Sequence, residues 1–341
     1  MKKVFALFFI VSLHLNAQHK SASKDSISVF YDKLFSTLKK EYLYKDKVDW
    51  RLIEAETNEK LLLYNNFKES LREVAILFGK IDATHCKVFY QDKAYSVSVK
   101  LMPENFSDQW KTKYASTPVF ETKVLDGKYG YILMPAIIFK DLSSKNIHKI
   151  AQPMYNEIAA IKTQNKIEGW IIDLRFNTGG NIYPMLLALY DLLGDNSVWG
   201  TLDVNKKLVG TIKLSGGRYI DNSSKVSYIN TIGALLDKAK VAIITGSLTA
   251  SSGELTAVAF KGRANTIFIG EQTMGMTTSN FMRSLPYDAT LILSMAYDCD
   301  RNGVFYEHIV PDIAISKQDN FDDLLSDQNI QEAIKFIDKK S

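Results

Sequence analysis

The N-terminal part of the chain has apolar residues at the spacing of an α-helix. Between Ile27 and Leu38 they recur three and four positions apart with polar residues between them, and a similar run extends from Leu71 to Leu77. This spacing places apolar side chains on one helical face, so we predict helices over residues 22 to about 80. Between Cys86 and Val99 the period shortens to two, which predicts strands.

The rest of the chain predicts a hairpin followed by alternating helices and strands. In residues 123–133, Asp126-Gly127 separates two strand-forming runs, which is a hairpin signal. The elements predicted after it are a helix over about 145–164, strand Gly169–Leu174, a helix from near Ile182, strand Val241–Ile244, a helix from near Ser251, strand Thr266–Gly270, later strands at Leu291–Leu293 and Ala296–Tyr297, and a terminal helix over 321–338. Apolar strands separated by helices favour an α/β layer with mostly parallel pairing.

The first residues have the pattern of a secretory signal peptide. Lys2 and Lys3 precede an apolar stretch from Val4 to Leu13, and Ala17 is a small residue at a suitable cleavage position. The alternative is a buried N-terminal helix. The stretch is shorter than the roughly 20 residues that span a membrane, and no later segment is apolar enough to do so. We therefore expect a periplasmic or secreted protein, cleaved near Ala17, with no integral membrane segment.

Composition excludes several classes of protein. The 341 residues are 46% hydrophobic and 23% charged, with 18 Gly and 7 Pro, which excludes disordered, collagen-like and low-complexity chains. The net charge is +4 without a basic run, so we expect no nucleic-acid partner. Two cysteines cannot make a disulfide scaffold. In an oxidising compartment Cys86 and Cys299 could pair, or both could be buried free thiols, and the sequence leaves this open.

A glycine turn follows the predicted strand that ends near Asp173. Gly179 and Gly180 precede the next helix, where paired glycines let backbone N–H groups face an anion or oxyanion. A tight strand-to-helix turn without chemistry explains the same residues equally well.

A serine turn lies between the next predicted strand and helix. Ser251 and Glu254 form the S-x-x-E pattern of a helix capping box, which needs no catalytic role. A serine in this place can also be a nucleophile, exposed beside free backbone donors. Such a serine needs a base. Of the five histidines, His14 lies in the predicted leader, His19 at the new N-terminus and His148 on a predicted surface helix, which leaves His85 and His308, both at the ends of elements.

Four segments together resemble the tail-specific proteases, also called C-terminal processing peptidases. This group includes the tricorn protease core and the interphotoreceptor retinoid-binding protein modules. The matching segments are Gly169–Gly180, Thr249–Glu254, Gly270–Gly275 and Asp300–Ile313. They follow the family's order and near-family spacing over about residues 123–315, and ordered motifs of this kind are specific.

The family has two catalytic designs, and residue 276 separates them. In the serine–lysine branch, a lysine follows the glycine that corresponds to Gly275, but this chain has Met276, which cannot accept a proton. The tricorn-like branch uses a histidine that precedes the core, follows a hydroxyl residue and is supported by a distant glutamate. Thr84, His85 and Glu307 match that arrangement.

The resemblance implies a catalytic tetrad. Ser251 would attack the scissile carbonyl, and His85 would take its proton and pass it to the leaving amine. Glu307 and Thr84 would complete the hydrogen-bond relay, and which of them touches the imidazole stays open. His308 then becomes a structural neighbour of the glutamate.

The resemblance also implies an oxyanion hole formed by the N–H groups of Ser252 and of Gly179 or Gly180. The chain has no metal-ligand spacing, phosphate loop or dinucleotide fingerprint, so we expect no cofactor.

The implied fold class is α/β (α+β overall). We expect a crotonase-like or ClpP-like core with mostly parallel buried strands and helices, plus a small N-terminal helical domain. The predicted boundaries are a signal peptide at 1–17, a helical domain at 18–85, a strand-containing connector at 86–122 and a peptidase core at 123–341. The connector is too short for the PDZ module of many relatives, so capture of substrates by a PDZ groove is not expected.

Three functions compete at this point. The first is an exported serine endopeptidase that hydrolyses peptide bonds through an acyl-enzyme. The second is a catalytically silent peptide- or ligand-binding member of the same family. The third is an unrelated secreted hydrolase whose glycine turns mimic the pattern. Retention of serine, histidine and glutamate together favours the first.

Overall fold

The computed structural model describes residues 24–98 and 103–339. The predicted signal peptide lies outside these residues. The helices are α1 (24–41), α2 (Trp50–Leu61), α3 (Phe67–Ser70), α4 (Arg72–Lys80), α5 (Asp108–Ala115), α6 (Ser144–Gln164), α7 (Ile182–Ala188), α8 (Tyr190–Leu193), α9 (Ser252–Val258) and α10 (Gln328–Asp338). Short 3-10 helices occur at Lys45–Lys47, Pro103–Asn105 and Leu324–Ser326.

The strands include all those that the sequence predicts and several that it does not. They are β1 (Lys87–Tyr90), β2 (Lys93–Ser96), β3 (Glu121–Leu125), β4 (Tyr129–Leu133), β5 (Gly169–Asp173), β6 (Ser197–Leu202), β7 (Leu208–Ser215), β8 (Arg218–Asp221), β9 (Ser224–Tyr228), β10 (Lys240–Thr245), β11 (Thr266–Gly270), β12 (Thr278–Leu285), β13 (Ala289–Asp300) and β14 (Ile313–Ala314). The two later strands predicted separately around residues 291–297 form one long strand, β13.

The chain divides into two compact units. Among the described residues, unit 1 contains 24–98 and Thr278–Ala296, and unit 2 contains 103–277 and 297–339. The domain boundaries expected from the sequence stay a prediction.

Unit 1 has a helical core completed by a distant part of the chain. The buried apolar residues of α1, α2 and α4 pack together with Leu285, Ala289, Leu291 and Leu293 from the second segment. Strand β1 pairs antiparallel with β2 and with β13. The helical periodicity predicted for residues 22 to about 80 is confirmed over the described residues. The predicted strands are present as β1 and β2, but β2 ends at Ser96 and neither strand alternates regularly between buried and exposed positions.

Unit 2 contains a sheet in the order β14-β11-β10-β5-β4-β3. All its pairs are parallel except the β3–β4 hairpin, in which Asp126 and Gly127 both have positive φ. Alternate residues face two different cores: Ile172 and Ile243 pack on one side, and Ile171 and Ile244 on the other. The predicted parallel α/β layer is confirmed.

The parallel direction of these strands positions the candidate site. The carboxyl ends of β5, β10 and β11 lie at the same edge of the sheet, so the loops that follow them come together there. These loops contain the glycine turn, the serine turn and residues 271–277. Unit 2 also contains the antiparallel strands β6 to β9, paired in chain order, which the sequence analysis did not predict.

Candidate active site

Ser251 occupies a sharp turn between a buried strand and a helix. Strand β10 ends at Thr245, and α9 begins at Ser252. The backbone of Ser251 has φ +52° and ψ −120°, a conformation that a residue with a side chain rarely adopts. Such strain persists only where surrounding contacts hold it, and it occurs often at functional sites.

The buried carboxylate of Glu254 accepts four hydrogen bonds, one of them from Ser251. One oxygen accepts from the N–H of Ser251 at 3.0 Å and of Met276 at 2.7 Å. The other accepts from Thr273 Oγ1 at 2.5 Å and from the N–H of Gly275 at 2.8 Å. Burial raises the pKa of Glu254 and these bonds lower it, with the net result above its ordinary value. Glu254 thus does more than cap α9, because it joins the serine turn to the loop after β11.

The glycine turn packs directly against Ser251. Gly179 and Gly180 both have φ +109°, which side-chain-bearing residues avoid. A Cβ added at Gly179 would lie 2.9 Å from Ser251 Cβ, and one at Gly180 would lie 2.2 Å from the carbonyl oxygen of Ile137. Both glycines are therefore required by conformation and by close approach.

The two turns are also joined by hydrogen bonds. The N–H of Ala250 donates to the carbonyl of Asn177 at 3.0 Å, and Ser252 Oγ donates to the carbonyl of Gly180 at 2.7 Å. Asn177 Oδ1 accepts from the N–H of Gly179 at 3.1 Å. Within the described part of the chain, the N–H groups of Gly180 and Ser252 donate to no protein acceptor. These two donors are available to a ligand at the turn.

His85 belongs to unit 1, in the turn between α4 and β1. The residue is half-buried, and its Nδ1 lies 2.8 Å from Thr278 Oγ1. Burial, with a smaller effect from the charge of Lys87, lowers the pKa of His85 to about 4. The ring is therefore neutral at pH 7 and able to accept a proton. Thr84, beside it, is exposed.

Glu307 and His308 belong to unit 2. Glu307 is exposed, and its carbonyl accepts from Thr277 Oγ1 at 3.2 Å. His308 Nδ1 lies 3.1 Å from the carbonyl of Thr273, and a Cβ at Gly275 would meet the ring at 2.3 Å. His308 therefore packs on the loop that Glu254 holds.

Unit 2 thus brings Ser251, Ser252, Gly179 and Gly180 together, with Glu307 in the same unit, while His85 and Thr84 belong to unit 1. Both cysteines are buried free thiols, which is the second of the two alternatives that the sequence left open. Over the described ranges there is no cluster of metal-ligating side chains, and no helix is long and apolar enough to cross a membrane.

The comparison with family models decides the family. Residues 128–315, more than half of the chain, match the model of peptidase family S41. The chain belongs to peptidase family S41. The resemblance inferred from four sequence motifs is confirmed.

Two solved structures share the fold of this S41 protein over nearly its whole length. A lipoprotein from Streptococcus agalactiae is 22% identical, with a TM-score of 0.65 over 92% of this chain and 96% of that one. A candidate peptidase from Parabacteroides merdae ATCC 43184 is 17% identical, with a TM-score of 0.62 over 93% of this chain and 98% of that one. The expected fold class, including the helical N-terminal region, is confirmed.

A curated relative of this S41 protein is the nisin-resistance protein of Lactococcus lactis subsp. lactis. The two are 34% identical over 152 residues, which cover 44% of this chain and 47% of the relative. The chain therefore spans about half the length of the curated relative that it matches.

Sequence reasoning missed two features of this S41 site. The capping-box pattern identified Glu254, but not its bonds to Thr273, Gly275 and Met276, because these lie about twenty positions further along the chain. Nothing in the sequence indicates that Thr278 is a partner of His85, because 193 positions separate them. Only strand pairing within unit 1 brings those two side chains together.

Proposed function

We propose that this S41 protein is an exported serine endopeptidase in which Ser251 is the nucleophile and His85 is the general base. The observation that carries the proposal is the strained backbone of Ser251, packed against Gly179 and followed by a free N–H at Ser252. A nucleophilic serine needs this combination of exposure on a sharp turn and nearby backbone donors.

The proposed reaction proceeds through an acyl-enzyme. Ser251 Oγ attacks the scissile carbonyl while His85 takes its proton, and the same proton then passes to the leaving amine. The N–H groups of Ser252 and Gly180 stabilise the oxyanion, because that of Gly179 already donates to Asn177 Oδ1, and each such donor contributes about 2.7–4 kcal/mol in other serine proteases. The family resemblance implies Glu307 and Thr84 as further members of the relay, but the side chain beside Nδ1 of His85 is that of Thr278, at 2.8 Å. Water then hydrolyses the ester, so no cofactor takes part.

The proposed location is the periplasm or the exterior. The leader pattern of residues 2–17 supports export, as does the similarity to a lipoprotein and to a nisin-resistance protein. Mass spectrometry of the protein from an expressing cell should find an N-terminus at Gln18. An unprocessed Met1 in the cell envelope fraction would contradict cleavage.

A fluorophosphonate probe tests the nucleophile. The mature protein should be labelled, and Ser251→Ala should abolish labelling. Ser247→Ala is the matched control, because Ser247 lies in the same loop and its buried Oγ has no hydrogen-bond partner among the described residues. Labelling that survives in Ser251→Ala would contradict the assignment.

Identification of new chain ends tests the reaction. Wild type and Ser251→Ala are incubated with a proteome digest and with nisin, because the Lactococcus relative is named for resistance to it. Wild type alone should generate new peptide termini. Peptide binding without cleavage or labelling would instead support a silent binding member of the family.

A further inference from the structure

A chain of polar side chains extends from His85 through unit 1. Thr278 Oγ1 lies 2.8 Å from His85 Nδ1 and 3.0 Å from Ser294 Oγ, which in turn lies 2.9 Å from Asn280 Oδ1. Asn280 Nδ2 returns to the carbonyl of His85 at 3.4 Å. Thr278 and Asn280 are two apart on β12 and share a face, and Ser294 lies on the paired strand β13.

The direction of each hydrogen bond in this series of side chains follows from the Asn280 amide, at which the series ends. The Asn280 amide donates through Nδ2 to a carbonyl, so its Oδ1 faces Ser294, and an amide oxygen can only accept. Ser294 therefore donates its one hydroxyl hydrogen to Asn280. Thr278 must then donate to Ser294, which leaves Thr278 Oγ1 as an acceptor toward His85 Nδ1.

We infer that Thr278, oriented by Ser294 and Asn280, is a positioning residue that holds His85 in the tautomer with hydrogen on Nδ1. In that tautomer Nε2 carries the lone pair, so Nε2 is the atom that accepts a proton. The catalytic consequence rests on the function proposed above, whereas the tautomer itself does not.

The surroundings of Ser294 make this chain well defined. Ser294 is buried, its N–H donates to Cys86 Sγ at 3.4 Å, and its carbonyl accepts from the N–H of Leu43 at 2.9 Å. The backbone of Ser294 is thus held on both sides, which fixes the position from which its hydroxyl extends. The three partners that extend from the ring are neutral, whereas a Ser-His-Asp triad places a carboxylate at Nδ1. The neutral chain orients the ring without adding negative charge beside it.

Nitrogen NMR of the full mature protein, labelled with ¹⁵N-histidine, reads the tautomer directly. Above the pKa of the ring, we expect a protonated Nδ1 and an unprotonated Nε2 for His85, with the signals assigned by their loss in His85→Gln. Thr278→Val should give mixed tautomers, and Thr278→Ser should restore the single one. Ser294→Ala should also mix them, because the Thr278 hydroxyl is then free to donate.

Kinetics adds a readout that a merely structural role would not give. Thr278→Val should lower kcat about 10²- to 10³-fold with KM changed less than about twofold, since a catalytic histidine in the wrong tautomer loses about 10⁴-fold elsewhere. Thr278→Ser should recover most of this loss. Thr290→Val, on β13 of the same unit, is the matched control and should keep wild-type kinetics.

Two NMR results would overturn the inference: hydrogen on Nε2 of His85 in the wild type, or an unchanged tautomer in folded Thr278→Val. The failure of the proposed function is recognised separately. In that case the wild type shows no fluorophosphonate labelling and no peptide cleavage, while the NMR spectra still decide the tautomer.

Discussion

The turn at Ser251 and the turn at His85 are held by opposite means. Around Ser251, the charged carboxylate of Glu254 accepts four hydrogen bonds and fixes a strained backbone. Around His85, a chain of neutral hydroxyls that begins at Thr278 fixes a ring. A carboxylate can gather several donors at once, and bonds to a charged group are about twice as strong as neutral ones, which suits a strained position.

A neutral hydroxyl chain serves a different purpose. Each hydroxyl has one hydrogen, so the chain determines where every proton lies but contributes little charge. In the proposed reaction the two groups have different roles: Glu254 holds the turn of Ser251, and Thr278 determines which nitrogen of His85 accepts a proton.

The largest expected effect comes from removing both reactive groups. Ser251→Ala and His85→Gln should each lower kcat/KM about 10⁴-fold or more, and the double variant should be no worse than either single one, because residues that act as one unit are not additive. Steady-state hydrolysis of a cleaved peptide checks this. Additive losses would show that the two turns do not serve one reaction.

Glu254→Gln tests the charged anchor. Its NH₂ group would face N–H donors, so the free energy of unfolding should fall by about 3 kcal/mol and kcat should fall with it. Urea unfolding measures the first, and the control Glu332→Gln alters a helix-surface pair with Lys335. If the Glu254→Gln protein is as stable and active as that control, the carboxylate of Glu254 does not hold the Ser251 turn.

Gly179→Ala tests the contact between the glycine turn and Ser251. The new methyl would lie 2.9 Å from Ser251 Cβ at φ +109°, so we expect kcat to fall about 10- to 100-fold, equivalent to about 1.4–2.7 kcal/mol. Gly127→Ala shares a positive φ, +67°, but has no atom within 4 Å of its new methyl. Equal losses of activity in the two variants would show that the strain of a positive φ causes the loss and that the contact with Ser251 does not.

The smallest effect is a shift in pH dependence. A base must be neutral, and burial followed by the charge of Lys87 lowers the pKa of His85 to about 4. The acid limb of kcat/KM, which reports the free enzyme, should therefore have its midpoint near pH 4. Lys87→Gln should move the midpoint upward by a fraction of a unit. A wild-type midpoint at the ordinary histidine value would contradict the lowered pKa of the half-buried His85.

The sequence predicted the local contacts of the Ser251 turn, but not the long-range contacts of either turn. Ser251 and Glu254 are three positions apart, so a local pattern was enough to connect them, and the strands before them were apolar runs. The partners of Glu254 beyond residue 270 and the partner of His85 on β12 depend on which strands pair. Periodicity shows which face of a strand is buried, but not which distant strand lies beside it.

The unpredicted strands β6 to β9 have a related explanation. In β7, the alternating buried positions are Gly210, Ile212 and Leu214, and a glycine in that series weakens the apolar signal. The neighbouring strands β8 and β9 have only four and five residues. Such strands gain their stability from pairing with neighbours, which single-strand patterns do not record.

The two-part construction of unit 1 has a consequence for biosynthesis. Its core needs Leu285, Leu291 and Leu293, so residues 24–98 cannot complete their packing until the segment Thr278–Ala296 has been made. At ~5–20 residues per second, the roughly 180 intervening residues take about 10–40 s to synthesise. His85 meets Thr278 only after that delay. An emerging chain therefore stays without its oriented histidine until nearly all of it has been made.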